Sequence, residues 1–271
     1  MRQECLRVRS ARRNTRRMTL RRLTLVALAA LCASASLAPP ASANTKRFGL
    51  TSFDRITVEG DMIVEIVPSN SIYAIADASR AALDTLSIEV DESRTLVVTQ
   101  LAEGIFGPRR ANNNDGPIHI RISAQNFTSV FLRGGGQVTI TGMRGRDLRI
   151  DLNGAGSITA RGIDGETLLV HVAGSGSIAL AGHSRAVTAS LMGAGTIDAG
   201  ALQTRDLIAR ANGTGRLSFA ALTSADLFTA GSANISVAGR PRCMIRNTGA
   251  GTISCGANAR ANLPTSADSQ R

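Results

Sequence analysis

Gly154-Ala155-Gly156-Ser157-Ile158 is the phrase on which the reading of this chain turns, because it returns along the sequence with small changes. Before it stands Gly134-Gly135-Gly136-Gln137-Val138. After it come Gly174-Ser175-Gly176-Ser177-Ile178, Gly193-Ala194-Gly195-Thr196-Ile197 and Gly213-Thr214-Gly215-Arg216-Leu217, then Gly231-Ser232-Ala233-Asn234-Ile235 and Gly249-Ala250-Gly251-Thr252-Ile253. The leading glycines lie 20, 20, 19, 20, 18 and 18 residues apart. A fixed period of this size marks a solenoid, in which one repeat cannot bury its own apolar face and must stack on the next.

Aligning the repeats on that glycine sorts the side chains. Two positions before it stand Leu132, Leu152, Val172, Leu191, Ala211, Thr229 and Asn247; four before, Val130, Ile150, Val170, Ala189, Ala209, Leu227 and Ile245. Four after stand Val138, Ile158, Ile178, Ile197, Leu217, Ile235 and Ile253; six after, Ile140, Ala160, Leu180, Ala199, Phe219, Val237 and Cys255. Mostly apolar columns two apart are one face of a strand. Odd offsets are more often polar, as at Arg149, Asp151, His171, Ser190, Arg210 and Arg246 before the corner and Ser157, Thr159, Ser177, Thr196 and Asp198 after it. Each repeat therefore reads as strand, glycine corner, strand, loop. The corner glycines carry the structural role: Gly134 and Gly136, Gly154 and Gly156, Gly174 and Gly176, Gly193 and Gly195, Gly213 and Gly215, Gly249 and Gly251. Parallel strands then pair coil on coil, and the predicted class is an all-β solenoid, or parallel β-helix, with about 18–20 residues per coil in its C-terminal half. The apolar columns weaken at Thr229 and Asn247, where an end cap is expected.

Upstream the pattern is β-branched and alternating but less periodic. Strands are predicted in Phe53–Glu59, Met62–Val67, Ser71–Ile75, Leu86–Val90, Leu96–Thr99 and Ile118–Ile122, with turns at Gly60-Asp61 and Asp91–Ser93. Ser79–Asp84 alone has helical character, and Gly104–Gly116 reads as a polar surface loop. The predicted division is a signal segment 1–43, one solenoid domain 44–257 and a polar tail 258–271. Within the domain, coils 44–116 are irregular and 117–257 regular.

The N-terminus reads as an export signal. A basic start precedes the short apolar run Leu23–Leu31, and Ala41-Ser42-Ala43 fits cleavage before Asn44. Met18 is an alternative start, Thr19 spoils a twin-arginine reading, and Leu31 before Cys32 argues against lipidation. No transmembrane segment is expected after cleavage, and the mature chain is placed in the periplasm or at the cell surface.

Charge and composition exclude several classes. Residues 1–22 hold nine Arg and one Glu, and so account for +8 of the formal +11. From Asn44 onward 22 basic residues face 19 acidic ones, without the clustering that nucleic-acid binding needs. Seven Phe, one Tyr and no Trp suit thin stacked coils better than a deep globular core.

Chemistry is scarce. Calcium-binding nonapeptide repeats need Asp after the glycines, and here stand Gln137, Ser157, Ser177, Thr196, Arg216, Asn234 and Thr252. The corners lack phosphate-loop spacing. His119, His171 and His183 do not converge, so no metal or cofactor is expected. No G-x-S-x-G elbow is present. Asp147, Asp151, Asp164, Asp198 and Asp206 are candidates for polysaccharide-cleaving acids. Only Asp147 and Asp206 share a column, three coils apart, too far for a catalytic pair. No catalytic residues are assigned, and the chain is read as a non-enzyme. After the corners, Ser157, Thr159, Ser177, Ser218, Ser236, Thr252 and Ser254 form a flat hydroxyl ladder, interrupted by Gln137, Asp198 and Arg216, which makes a candidate binding face. Cys243 and Cys255 remain after export, both in inward columns of the last coil. An oxidising compartment permits a disulfide. Packed sheets lie about 10 Å apart and bridged Cα atoms about 5.5 Å, so either a pinched terminal coil is bridged or two thiols are buried.

With these elements placed, the chain resembles the auto-transporter adhesin, head GIN domain family over roughly residues 48–257. The carriers are Phe53–Gly60 with Ile63–Ile66, Leu86–Val90 with Leu96–Val98, Ile118–Ile122, Phe127–Gly134 and the repeated corners. Departures are Ala233 in the sixth corner and the Gly104–Gly116 insertion. The resemblance implies an exported bacterial β-solenoid of the cell envelope and supplies no catalytic residues. The function expected is an envelope binding or structural module, adhesin-like, with a glycan or envelope protein as partner. The alternatives are a polysaccharide-active β-helix enzyme and a scaffold that self-assembles through solenoid ends.

Overall fold

A computed structural model of the chain describes residues 44–100 and 116–256. The signal segment, most of the Gly104–Gly116 loop and the polar tail lie outside the described residues.

The chain folds as an all-β solenoid. In chain order β1 (Asn44–Gly49), β2 (Arg55–Glu59), β3 (Ile63–Pro68) and β4 (Tyr73–Ala78) precede a one-turn helix α1 (Arg80–Asp84). Then follow β5 (Leu86–Val90), β6 (Thr95–Gln100), β7 (His119–Ala124), β8 (Ser129–Gly134), β9 (Gln137–Thr141) and β10 (Arg144–Gly154). The repeats supply β11 (Ser157–Gly174), β12 (Ser177–Gly193), β13 (Thr196–Gly213) and β14 (Arg216–Gly231). The chain closes with β15 (Asn234–Gly239), β16 (Arg242–Asn247) and β17 (Ile253–Cys255).

Strands pair in parallel, glycine on glycine: Gly154 sits opposite Gly134 and Gly174, and Gly193 opposite Gly213. The four apolar columns point inward, and Ile150, Val170, Leu217 and Ala199 are fully buried. Burying each large aliphatic contributes about 1.5–3 kcal/mol. Gly136 shows why the corners need glycine: a Cβ there would lie 2.8 Å from the carbonyl oxygens of both Gly60 and Met62.

One reading is corrected. The loop expected after each second strand is absent in the middle coils, where β11, β12, β13 and β14 run 18, 17, 18 and 16 residues without a break. Neighbouring coils supply backbone partners all the way round, so the chain bends inside the strand, at Gly162 (φ +67°) for instance, with register shifts there. The polar residues of this stretch do not force a loop either. Thr204 is buried and donates its hydroxyl to the carbonyls of Arg185 and Asp206, while Ile163 and Leu202 turn inward.

The turn expected at Gly60-Asp61 lies between β2 and β3 and is itself a solenoid corner. Gly60 has φ +118°, matching +120° at Gly134, and its carbonyl accepts from the Gly136 amide at 3.2 Å. Coil β2–β3 therefore stacks directly on coil β8–β9, and on its other side it pairs with β6 and β7. Sequence order and stacking order differ. Beyond β6 and β7 the pairing becomes antiparallel, β5 on β6, β4 on β7 and β1 on β4, and the parallel ladder ends. Edge strand β1 carries exposed Lys46 and Arg47, a charge pattern that discourages further pairing. Helix α1 starts at Ser79, whose hydroxyl accepts from the Ala82 amide at 3.2 Å, and buries Ala82 and Leu83.

The C-terminal coil closes in a different way. Cys243 of β16 and Cys255 of β17 form a disulfide with Cα atoms 6.4 Å apart, closer than facing sheets ordinarily lie. Asn247 also serves this end: its amide donates to the Gly251 carbonyl at 2.7 Å and its oxygen accepts from the Gly249 amide at 3.0 Å. Both backbone groups thereby gain partners inside the last coil.

Candidate functional site

The solenoid presents two long outer faces, one after the corners and one before them. Strand register turns the odd-offset columns into physical rows. After the corner, Gln137, Ser157, Ser177, Thr196, Arg216 and Asn234 follow one another across successive coils. Beside them runs a second row, Thr139, Thr159, Ala179, Asp198, Ser218, Ser236 and Ser254.

The ladder divides by hydrogen bonding. Toward the C-terminus the hydroxyls are used internally: Ser218 donates to Asp198 at 2.8 Å, Thr252 to Asn234 at 2.6 Å and Ser236 to the Leu217 carbonyl at 3.4 Å. Toward the middle, Ser157, Thr159 and Ser177 keep hydroxyls without an intramolecular partner among the described residues, and Gln137, Thr139 and Thr196 surround them. This patch is flat, uncharged and small in side chain. Its N-terminal border is the exposed ion pair Arg121–Glu65 at 2.9 Å, beside a cavity of about 600 Å³ lined by Ile75, Asp77 and His119.

The face before the corners is grooved and more varied. One row reads Ser129, Arg149, Leu169, Thr188, Ile208, Asp226 and Met244; its neighbour reads Asp147, Thr167, Ala186, Asp206, Ser224 and Arg242. Between the two rows lie cavities of about 610 Å³ and 470 Å³. They abut, because Thr167 and Leu169 in the first pair with Ala186 and Thr188 in the second. Leu169, Ile208 and Met244 are 37%, 37% and 55% exposed. Sequence reasoning missed these three. They stand at an offset tallied as polar, and the signal lay in the exceptions to that tally.

Two carboxylates in the groove are held by hydroxyls one coil away. Thr167 donates to Asp147 and Ser224 to Asp206, each at 2.6 Å. The register puts Asp147 and Asp206 three coils apart, about 14 Å at ordinary strand spacing and beyond the reach of a catalytic pair. Asp151 is buried on this face under Arg149, whose guanidinium donates to both its oxygens. Those hydrogen bonds and the carboxylate's charge hold Arg149 above its ordinary pKa. Asp164 pairs in register with His183, and Asp198 lies on the other face.

The histidines occupy separate rows. His119 pairs with Ile63 and Asp77, His171 with Asp151 and Ser190, His183 with Asp164 and Gln203. Among the described residues no group of three or more His, Cys, Asp or Glu could hold a metal ion, and no helix is long and apolar enough to cross a membrane.

Residues 52–241 match the family model described as "Putative auto-transporter adhesin, head GIN domain". Solved structures share the fold. A putative adhesin from Bacteroides fragilis is 20% identical with a TM-score of 0.71, over 80% of this chain and 98% of that one. A putative lipid binding protein from Parabacteroides distasonis is 21% identical with a TM-score of 0.64, over 81% and 98%. A putative adhesin from the same organism is 16% identical with a TM-score of 0.62, over 79% and 97%. At these identities the likeness is one of fold. No curated protein is significantly similar in sequence.

Proposed function

Given that this chain belongs to the putative auto-transporter adhesin, head GIN domain family, we propose that it is an exported, non-enzymatic binding module of the cell envelope. Its partner is a glycan or an envelope protein. The observation that carries this is the patch around Ser157, Thr159 and Ser177, whose hydroxyls have no intramolecular partner among the described residues and are held in rows by the coil-on-coil register. A rigid sheet that presents unspent donors and acceptors loses little side-chain entropy on binding, because these side chains are short. The chain reaches the envelope through the basic and apolar segment before Asn44, which is cleaved after Ala43.

Fractionating the native host, with and without protease added to intact cells, tests this. Degradation on intact cells supports the adhesin-like reading; protection in the periplasm sinks adhesion and leaves an internal envelope partner. Replacing Ser157 and Ser177 by Arg should abolish adherence of the surface form without lowering its abundance.

One observation favours a polysaccharide-active enzyme: Asp206, Asp226 and Arg242 line one groove. The release of reducing ends from a bound polymer would decide for it.

A further inference from the structure

We propose that the groove before the corners binds a linear, uncharged polysaccharide lying along the solenoid axis, an assignment that rests on the binding-module reading above. Shape is the first reason. The row from Ser129 to Met244 crosses seven successive coils, about 29 Å at ordinary strand spacing. A site of this length, open along the axis, suits a polymer rather than a compact small molecule.

The lining has the chemistry of a sugar chain. Leu169, Ile208 and Met244 give exposed aliphatic contact for the C–H faces of sugar rings, and Thr188 and Asp226 stand between them. In the adjacent row the carboxylate–hydroxyl clamp occurs twice, as Asp147 with Thr167 and as Asp206 with Ser224, with Asp147 and Asp206 three coils apart. A carboxylate oriented in this way accepts from sugar hydroxyls. Asp226 and Arg242, which have no side-chain partner among the described residues, supply a free acceptor and a free donor at the same groove.

Other occupants fit less well. An acyl chain would strip water from Asp206 and Asp226 without giving either a partner, which is costly. An extended peptide cannot add as a strand, because the backbone groups of this face are already spent on coil-on-coil pairing. A polyanion would need free cations. Among the residues lining the two cavities, Arg149 is engaged by Asp151 and Arg55 leans on Asp54 at 3.6 Å, which leaves Arg242 against Asp147, Asp206 and Asp226.

Affinity electrophoresis of the exported protein, in gels holding soluble hydroxyethylcellulose, glucomannan or arabinoxylan, tests this against gels holding polygalacturonate or alginate. At least one neutral polymer should retard the protein. Asp226→Asn and Ile208→Ser should each weaken that retardation by about tenfold, while Gln203→Ala, an exposed position paired with His183 and outside both the ladder and the groove rows, binds as wild type. Circular dichroism melts confirm that each variant is folded. Retardation by none of the neutral polymers, stronger retardation by the polyanions, or full binding by both groove variants would each overturn the assignment. Loss of binding only in a Ser157→Ala, Ser177→Ala double variant, which tests the other face, would overturn the groove and leave the module standing. Shortening of the bound polymer would overturn the non-enzymatic reading and leave the groove as its site.

Discussion

The carboxylate of Asp61 accepts a hydrogen bond from the backbone amide of Gly135 at 2.8 Å, across a sequence separation of 74. One side chain thus ties the first coil to the coil stacked upon it, although the chain builds the whole N-terminal end between making the two. Replacing Asp61 with Ala removes this acceptor from an exposed corner and should lower stability by about 1 kcal/mol. Urea melts check it, and an unchanged midpoint would mean that water satisfies the Gly135 amide equally well.

Corner glycines should differ sharply from glycines elsewhere. At Gly176 a Cβ would lie 2.5 Å from the Gly156 carbonyl oxygen and 2.6 Å from a Leu152 methyl, whereas at Gly200 the nearest heavy atom, on Asp198, is 3.5 Å away. Gly176→Ala should cost about 2–3 kcal/mol, and Gly200→Ala should be close to neutral. Comparable losses at both sites in thermal melts would remove close stacking as the reason for the motif.

The Cys243–Cys255 bridge closes a segment of sequence separation 12 at the last coil. Its loss, by reduction or by Cys→Ser at both positions, should destabilise that coil by about 3 kcal/mol. Solenoid stability is nearly a sum over neighbouring coils, so the effect should stay local. Hydrogen exchange should show lost protection in β16 and β17 with β11 and β12 unchanged; protection lost evenly along the chain would contradict a terminal staple.

Asp91 sets the sign of a pH effect. The Ser93 hydroxyl donates to it at 2.7 Å and the Thr95 amide at 2.9 Å, and these bonds hold its carboxyl below its ordinary pKa of 3.8. A depressed folded-state pKa contributes stability that is fully present above the unfolded value and is lost as pH falls through the folded one. The stability difference between wild type and Asp91→Asn should therefore be constant above about pH 5 and shrink below about pH 4. A difference that grows on acidification would rule out the hydrogen-bonded turn as its source.

Much of the architecture was legible because it repeats. All four inward columns read from the alignment are buried except in the last coil, where Asn247, Ile245 and Ile253 are partly exposed at the solenoid's end. Strand β5 covers the same residues as the run Leu86–Val90, and α1 falls within Ser79–Asp84. The rows of the ladder were legible too, because an odd offset and a small hydroxyl side chain are both visible in one dimension. Which of those hydroxyls are spent on a neighbour was not visible, since Ser218 bonding to Asp198 requires the coils to be in register.

Local pattern by itself determined the period, the inward columns and the corners, because side-chain alternation and the conformational freedom of glycine are properties of a few adjacent residues. Tertiary structure decided what depends on contacts between distant segments. It made Gly60 the partner of Gly134, carried strands through stretches that read as loops, and lined up Leu169, Ile208 and Met244 along one groove. The physical reason is that a backbone hydrogen bond and a surface row both need a second coil, and the residues that supply that coil lie about twenty positions away or, at the N-terminal end, more than seventy.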